Sequence, residues 1–235
     1  MSRAFVFVHG AWHGGWLWRR SAELLRRDGH EAFTPSLTGL GDRSHLLAPG
    51  INLSTHVEDI VRVIETFELN NVVLCGHSYG GLVVGQVADQ LPDRIGKIVF
   101  VDAFLPEDGM NVLDLSEGHG VREAIIDAAR DHGEGWFVPP PPAEQFEMHR
   151  DEDTQLVRRL LTPQPMATFT EPARVTGKWR EGRRLSFVRA TGLKTPMKQL
   201  WEKAVADENV ECHELKCGHN IMLDLPQDLH EILVS

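Results

Sequence analysis

The sequence predicts an α/β fold: a mostly parallel sheet flanked by helices, with a helical cap inserted into it. Three observations lead there. Strand-like runs alternate with helix-like stretches over most of the 235 residues, as in chained βαβ units. A glycine-flanked serine, Ser78, stands between an apolar run and a helix-like stretch. The alternation then lapses between Phe104 and about Arg183. Residues 1–103 and 184–235 are therefore expected to form the α/β core and residues 104–183 the cap.

Along the chain, the strand-like runs are residues 4–8, 31–34, 71–75, 97–101, 185–190 and 210–215, and the core helices are expected at 16–27, 82–91, 196–206 and 226–234. A further helix is expected from Thr55. Val57, Ile60, Val61 and Ile64 fall at i, i+3, i+4 and i+7, and Thr55 with Glu58 has the spacing of a capping box. In the cap, helix-like 121–132 and 151–161 flank the prolines 139–142. Only about 50 residues follow Arg183, too few for a comfortable second domain, so an insertion is favoured over two domains joined by a proline linker.

Hydrophobic residues make up 42% of the chain and charged residues 25%, as in ordinary globular domains. With 24 Lys+Arg against 34 Asp+Glu, the net charge is -10. That balance argues against a nucleic-acid or anionic-membrane partner, because phosphate binding needs local positive charge. Residues 1–3 lead directly into an apolar run too short for a signal-peptide core, and no run reaches transmembrane length, so a cytoplasmic location is expected. Cys75, Cys212 and Cys217 lack zinc-type spacing and are expected to be reduced, structural thiols.

Gly76-His77-Ser78-Tyr79-Gly80-Gly81 reads as a nucleophile elbow. A serine at the tip of a tight strand-to-helix turn is held in a strained conformation that projects its hydroxyl above the sheet. Glycines two before and two after it remove Cβ atoms that would collide. A serine hydroxyl is a poor nucleophile at neutral pH and needs a base within reach, normally histidine. Among 12 histidines, His219 follows the last strand and precedes the last helix, where the base of such an architecture stands. His77 is expected to pack beneath the elbow, whereas His45, His56, His119, His132, His149, His213 and His230 are read as solvated side chains.

The first strand ends in His9-Gly10-Ala11-Trp12-His13-Gly14-Gly15-Trp16. A glycine-rich turn there lets backbone N–H groups point at an oxygen in front of the nucleophile, and the oxyanion hole is assigned to the amides of Ala11 and Tyr79. The G-x-G-x-x-G and Walker patterns of nucleotide loops are absent. Trp12, Trp16, Trp136, Phe137, Met166 and Phe169 are candidates to line an apolar pocket.

Elbow, oxyanion loop and terminal histidine, in that chain order, resemble the α/β-hydrolase superfamily. Together with Ala103-Phe104-Leu105-Pro106 and Leu161-Thr162-Pro163-Gln164-Pro165, they look like the branch of plant methylesterases and hydroxynitrile lyases and its bacterial esterase relatives. In lyases resembling this chain, a threonine stands at the position of Gly10 and a lysine at that of Asn220, so the resemblance favours the esterase reading here. The resemblance also implies an acid after the strand at 185–190, yet residues 189–196 read Arg-Ala-Thr-Gly-Leu-Lys-Thr-Pro and hold no carboxylate.

A replacement acid must come from the carboxyl end of a neighbouring strand, the edge that faces the site. Asp102 follows the strand at 97–101 and is the candidate; its alternative role is to cap the loop that follows. The expectation is a serine carboxylesterase with Ser78 as nucleophile, His219 as base and Asp102 as acid. It would act on a small-molecule ester with no metal or organic cofactor, and whether it forms a homodimer stays open. A hydroxynitrile-lyase-like enzyme and a non-catalytic ligand-binding homologue remain the alternatives.

Overall fold

A computed structural model describes residues 2–116, 120–192 and 197–235. His119 and residues 193–196, which include Pro196 at the start of an expected helix and part of the loop without a carboxylate, lie outside the described residues. The first half of the chain contains β1 (Ala4–Val8), α1 (Arg19–Arg27), β2 (Glu31–Phe33), α2 (Leu53–Thr66), β3 (Val72–His77), α3 (Gly80–Gln90) and β4 (Ile95–Val101). An inserted region follows, with α4 (Val112–Leu115), α5 (Val121–His132), β5 (Phe137–Val138), α6 (Asp151–Leu160), β6 (Gln164–Pro165) and α7 (Ala167–Thr170). The chain closes with β7 (Arg184–Ala190), α8 (Met197–Val205), β8 (Val210–Leu215), α9 (Ile221–Asp224) and α10 (Pro226–Val234).

Six strands pair in the order β2-β1-β3-β4-β7-β8, every pair parallel. The central strands β1 and β3 are buried along their whole length because both faces of the sheet are covered there, whereas the edge strands β2 and β8 carry exposed glutamates. Phe5 and Phe7 of β1 point to one side, where they pack with Leu25 of α1 and Leu229 of α10. Val6 and Val8 point to the other, where they pack with Ile60 of α2 and Leu82 of α3. This is the two-residue period of a strand dividing one run between two cores.

Register brings the site together. Val8 is level with Gly76, His77 with Val101, and Val101 with Val188. The loops that leave the carboxyl ends of β1, β3 and β4 therefore emerge side by side, carrying Ala11, Ser78 and Asp102 to one edge of the sheet.

Two local expectations need correction. Helix α2 begins at Leu53, not Thr55, and its cap is Asn52: the Asn52 side chain accepts from Thr55 N at 3.0 Å, and Thr55 Oγ1 accepts from Asn52 N at 3.4 Å. The box is reciprocal as expected but lies three residues earlier, because Asn52 offers a carbonyl acceptor at the point where the backbone is still extended. The stretch 16–27 is not one helix. It opens as a tight 3-10 turn over Gly15–Trp18 before α1.

The inserted region consists of helices joined by loops, with the antiparallel contact of β5 with β6 as its strand pairing among the described residues. It is tied to the core by the carboxylate of Asp153, which is buried and accepts from Arg20 of α1 at 2.6 Å.

Candidate active site

The elbow follows from close packing. Ser78 has φ 51°, a left-handed conformation that a non-glycine residue adopts only when its surroundings impose it. A Cβ on Gly76 would lie 2.7 Å from Gly80 O, and one on Gly80 would lie 2.7 Å from Val8 O. Only glycines let β1, β3 and α3 approach this closely. Ser78 O accepts from Gly81 N and Phe104 N, each at 3.0 Å, which pins the turn from both sides.

Asp102 also has a left-handed backbone, φ 42°, and is fully buried. Its amide donates to Val188 O at 2.7 Å, and its Oδ1 accepts from Ala190 N at 3.2 Å. Oδ2 lies 2.6 Å from His219 Nδ1. A carboxylate can only accept, so Nδ1 carries the proton and Nε2 is left with its lone pair. His77 packs beneath the elbow, as expected: its Nε2 donates to His219 O at 3.0 Å, and the two rings lie 4.5 Å apart. His219 N donates to Phe146 O at 3.0 Å, so the base segment is held from the inserted region as well.

Ser78, Tyr79, Ala11 and His219 line one cavity of about 460 Å³. Ser78 and His219 are not directly hydrogen-bonded to each other; they meet by facing this common space. Among the described residues, neither the Ala11 nor the Tyr79 amide donates to a protein acceptor. The remaining wall is mostly apolar and includes Phe104, Ile125, Val138, Pro139–Pro142, Phe146 and Met197, with His132 and Gln145 as its polar members and no Asp, Glu, Lys or Arg among the described lining residues. Of the six aromatic and methionine candidates, Trp12 and Phe169 line this cavity. Trp16, Trp136, Phe137 and Met166 do not, since Trp16 faces a separate surface groove.

Three features went unread in the sequence. His56, expected to be solvated, is fully buried and hydrogen-bonded to Tyr79 Oη at 2.9 Å, and burial lowers its pKa to about 4. The correction is physical: Leu53, His56, Val57 and Ile60 share one inward stripe of α2, and a histidine on that stripe is buried with its neighbours. Gln164, within the stretch Leu161–Pro165, is fully buried against the oxyanion loop. The prolines 139–142, weighed as a linker, form part of the cavity wall.

Asn220 is buried, and its Nδ2 lies 3.3 Å from His13 Nε2. The position where lyases of the resembling branch hold a lysine therefore carries a neutral amide engaged with another residue.

A profile of the alpha/beta hydrolase family matches residues 5–232. A carbendazim hydrolyzing esterase of Nocardioides sp. (strain SG-4G) is 36% identical over 239 residues, covering 98% of both chains. Methylesterase 10 of Arabidopsis thaliana is 26% identical, covering 97% of this chain and 90% of its own. Among solved structures, an extracellular alpha/beta-hydrolase from a Paenibacillus species, described as sharing structural and functional homology with tobacco salicylic acid binding protein 2, superposes with a TM-score of 0.85. It is 25% identical, and the match covers 99% of this chain and 98% of that one.

Proposed function

The chain belongs to the alpha/beta hydrolase family and has its fold, and from that premise we propose that it is a serine carboxylesterase acting on small, apolar esters through an acyl-enzyme. Family and fold point to carboxylesterase-type chemistry, with plant methylesterases and bacterial esterases as relatives. The observation that carries the finer reading is the buried Asp102–His219 pair, 2.6 Å apart, opening onto the same apolar cavity as the strained Ser78.

In this reading Ser78 Oγ attacks the ester carbonyl carbon while His219 Nε2 takes its proton. Asp102 holds the imidazolium that results through Nδ1–H. The carbonyl oxygen becomes an oxyanion facing the free amides of Ala11 and Tyr79, and one such donor is worth about 3 kcal/mol of barrier. Collapse expels the alcohol, which takes the proton back from His219. Water then attacks the acyl-enzyme by the same route, and the carboxylic acid leaves.

Residues 104–183 serve in this reading as the cap, since they supply much of the cavity wall. A wall without Asp, Glu, Lys or Arg favours uncharged acyl groups, because an unpaired charge is costly to desolvate there. The Arabidopsis relative is a methylesterase, which makes methyl esters of apolar acids the natural first series.

The test is turnover of a short-chain nitrophenyl ester and of methyl esters, beside labelling with a serine-directed phosphonate. Wild type should hydrolyse and label, and Ser78→Ala should do neither. Release of aldehyde and cyanide from an aromatic cyanohydrin, with no ester hydrolysis, would replace this reading with a lyase. Absence of both turnover and labelling would replace it with a binding protein.

A further inference from the structure

We propose that Gln164 is a positioning residue for the oxyanion hole, a buried polar contact through which the inserted region holds the Ala11 donor in place. The proposal rests on the assignment of Ala11 and Tyr79 as the oxyanion donors.

The network accounts for the oxyanion loop peptide by peptide. Gly10 O, the carbonyl of the peptide whose N–H belongs to Ala11, accepts from His9 Nδ1 at 2.8 Å. The next peptide is gripped at both ends: Ala11 O accepts from His13 Nδ1 at 2.7 Å, and Trp12 N donates to Gln164 Oε1 at 3.0 Å. Trp12 O accepts from Thr162 N at 2.9 Å. Of the polar groups on these consecutive peptides, the Ala11 N–H is the one left over for a ligand. Trp12 has φ 64°, a conformation held by its partners and not by its own preference. Without Gln164, the Trp12 N–H is orphaned and the Ala11–Trp12 peptide is held at Ala11 O alone, so it can tilt and shift the Ala11 Cα to which the oxyanion N–H is attached.

The other end of Gln164 fixes the turn that carries Phe169, whose ring packs against Tyr79. Gln164 Nε2 donates to Thr168 Oγ1 at 2.6 Å, and that hydroxyl donates in turn to Pro165 O at 2.6 Å. His56 Nε2 lies 2.9 Å from Thr38 O and must donate there, so its Nδ1 accepts from Tyr79 Oη at 2.9 Å. The Phe169 ring packs edge-on with both Trp12, at 5.5 Å, and Tyr79, at 6.1 Å. Gln164, Thr168, His56 and Tyr79 are all essentially without solvent exposure. Hydrogen bonds between such buried groups are costly to break, so each holds its partners in place. The Gln164 amide is fixed in one sense, because a flip would set its NH₂ against the Trp12 N–H.

Two variants test this on the full chain. Gln164→Met keeps the volume and removes the acceptor; kcat per titrated active site should fall about tenfold, less than the roughly 10²-fold or greater loss of an entire donor. KM should stay within about threefold, and inhibition by a trifluoromethyl ketone, whose serine adduct places an oxyanion against the same amides, should weaken by the same factor as kcat. Gln164→Glu copies the donor and acceptor pattern only while its carboxyl is protonated, so its kcat relative to wild type should fall as pH rises.

A purely structural role would lower the melting temperature and leave kcat per titrated site and ketone inhibition unchanged, and that result overturns the proposal. If Gln164→Met does not fold, a pH-independent ratio for Gln164→Glu overturns it instead. Failure of the underlying serine-esterase reading is separate: the ketone, which must form an adduct with Ser78, would then not inhibit wild type at all.

Discussion

His219 Nδ1 and Asp102 Oδ2 lie 2.6 Å apart although 117 positions separate them in the chain. The carboxylate needs no movement to reach the ring, because Val188 O holds its amide and Ala190 N holds its second oxygen. Asp102→Asn keeps the shape of this contact but no longer supports an imidazolium or enforces one tautomer. We expect ester kcat to fall by about 10³ to 10⁴ with the fold intact. Steady-state kinetics beside circular dichroism checks this. Turnover within about threefold of wild type would leave Asp102 as a loop cap only.

Much of this arrangement was legible because it is local or topological. The bounds of β1, β8, α5 and α10 coincide with the strand-like runs and helix-like stretches from which they were expected. The elbow is a short motif whose flanking strand and helix stand beside it in sequence. Asp102 needed one further step, that only the carboxyl ends of parallel strands face the site. What escaped reading depends on partners far away in the chain. The burial of His56 could have been found from the stripe it shares with Leu53 and Ile60, but its bond to Tyr79 Oη joins α2 to the elbow. Gln164 stands between two prolines, in a stretch without periodicity, and is turned inward by the two-residue ladder with β5.

Gly10 marks a second sensitive contact. A Cβ there would lie 2.8 Å from His77 Nδ1 and 2.9 Å from Ser78 Cβ. His77 is buried and tied to His219 O, so it has little room to yield. Gly10→Thr, the residue of the resembling lyases, should therefore displace Ser78. It should lower ester turnover at least tenfold and cost about 1–3 kcal/mol of stability, as overpacking of a filled core does. Urea denaturation and ester kinetics check both; unchanged values would mean that the loop shifts freely at this point.

Four histidines around the nucleophile set the response to acid. His9, His13, His56 and His77 are fully buried. Burial lowers their pKa values to about 4 for His9, about 3 for His13 and about 4 for His56, and well below the ordinary value for His77. Each is neutral in the fold yet takes up a proton near pH 6.5 once unfolded. Between that pH and the folded pKa values the unfolded chain binds more protons, so stability falls as pH falls. One such group contributes about 1.4 kcal/mol per pH unit, and four acting together reach about 5 kcal/mol per unit, against a total of about 5–15 kcal/mol for a typical domain. Stability should thus be nearly level above pH 7 and collapse cooperatively between about pH 6 and pH 4, where activity disappears with the fold. Urea midpoints at pH 7.5, 6.5 and 5.5 measure the slope, and His56→Gln, which removes one titrating ring, should make it shallower. A midpoint that holds level down to pH 5 would mean that water or local opening relieves these rings before the fold gives way.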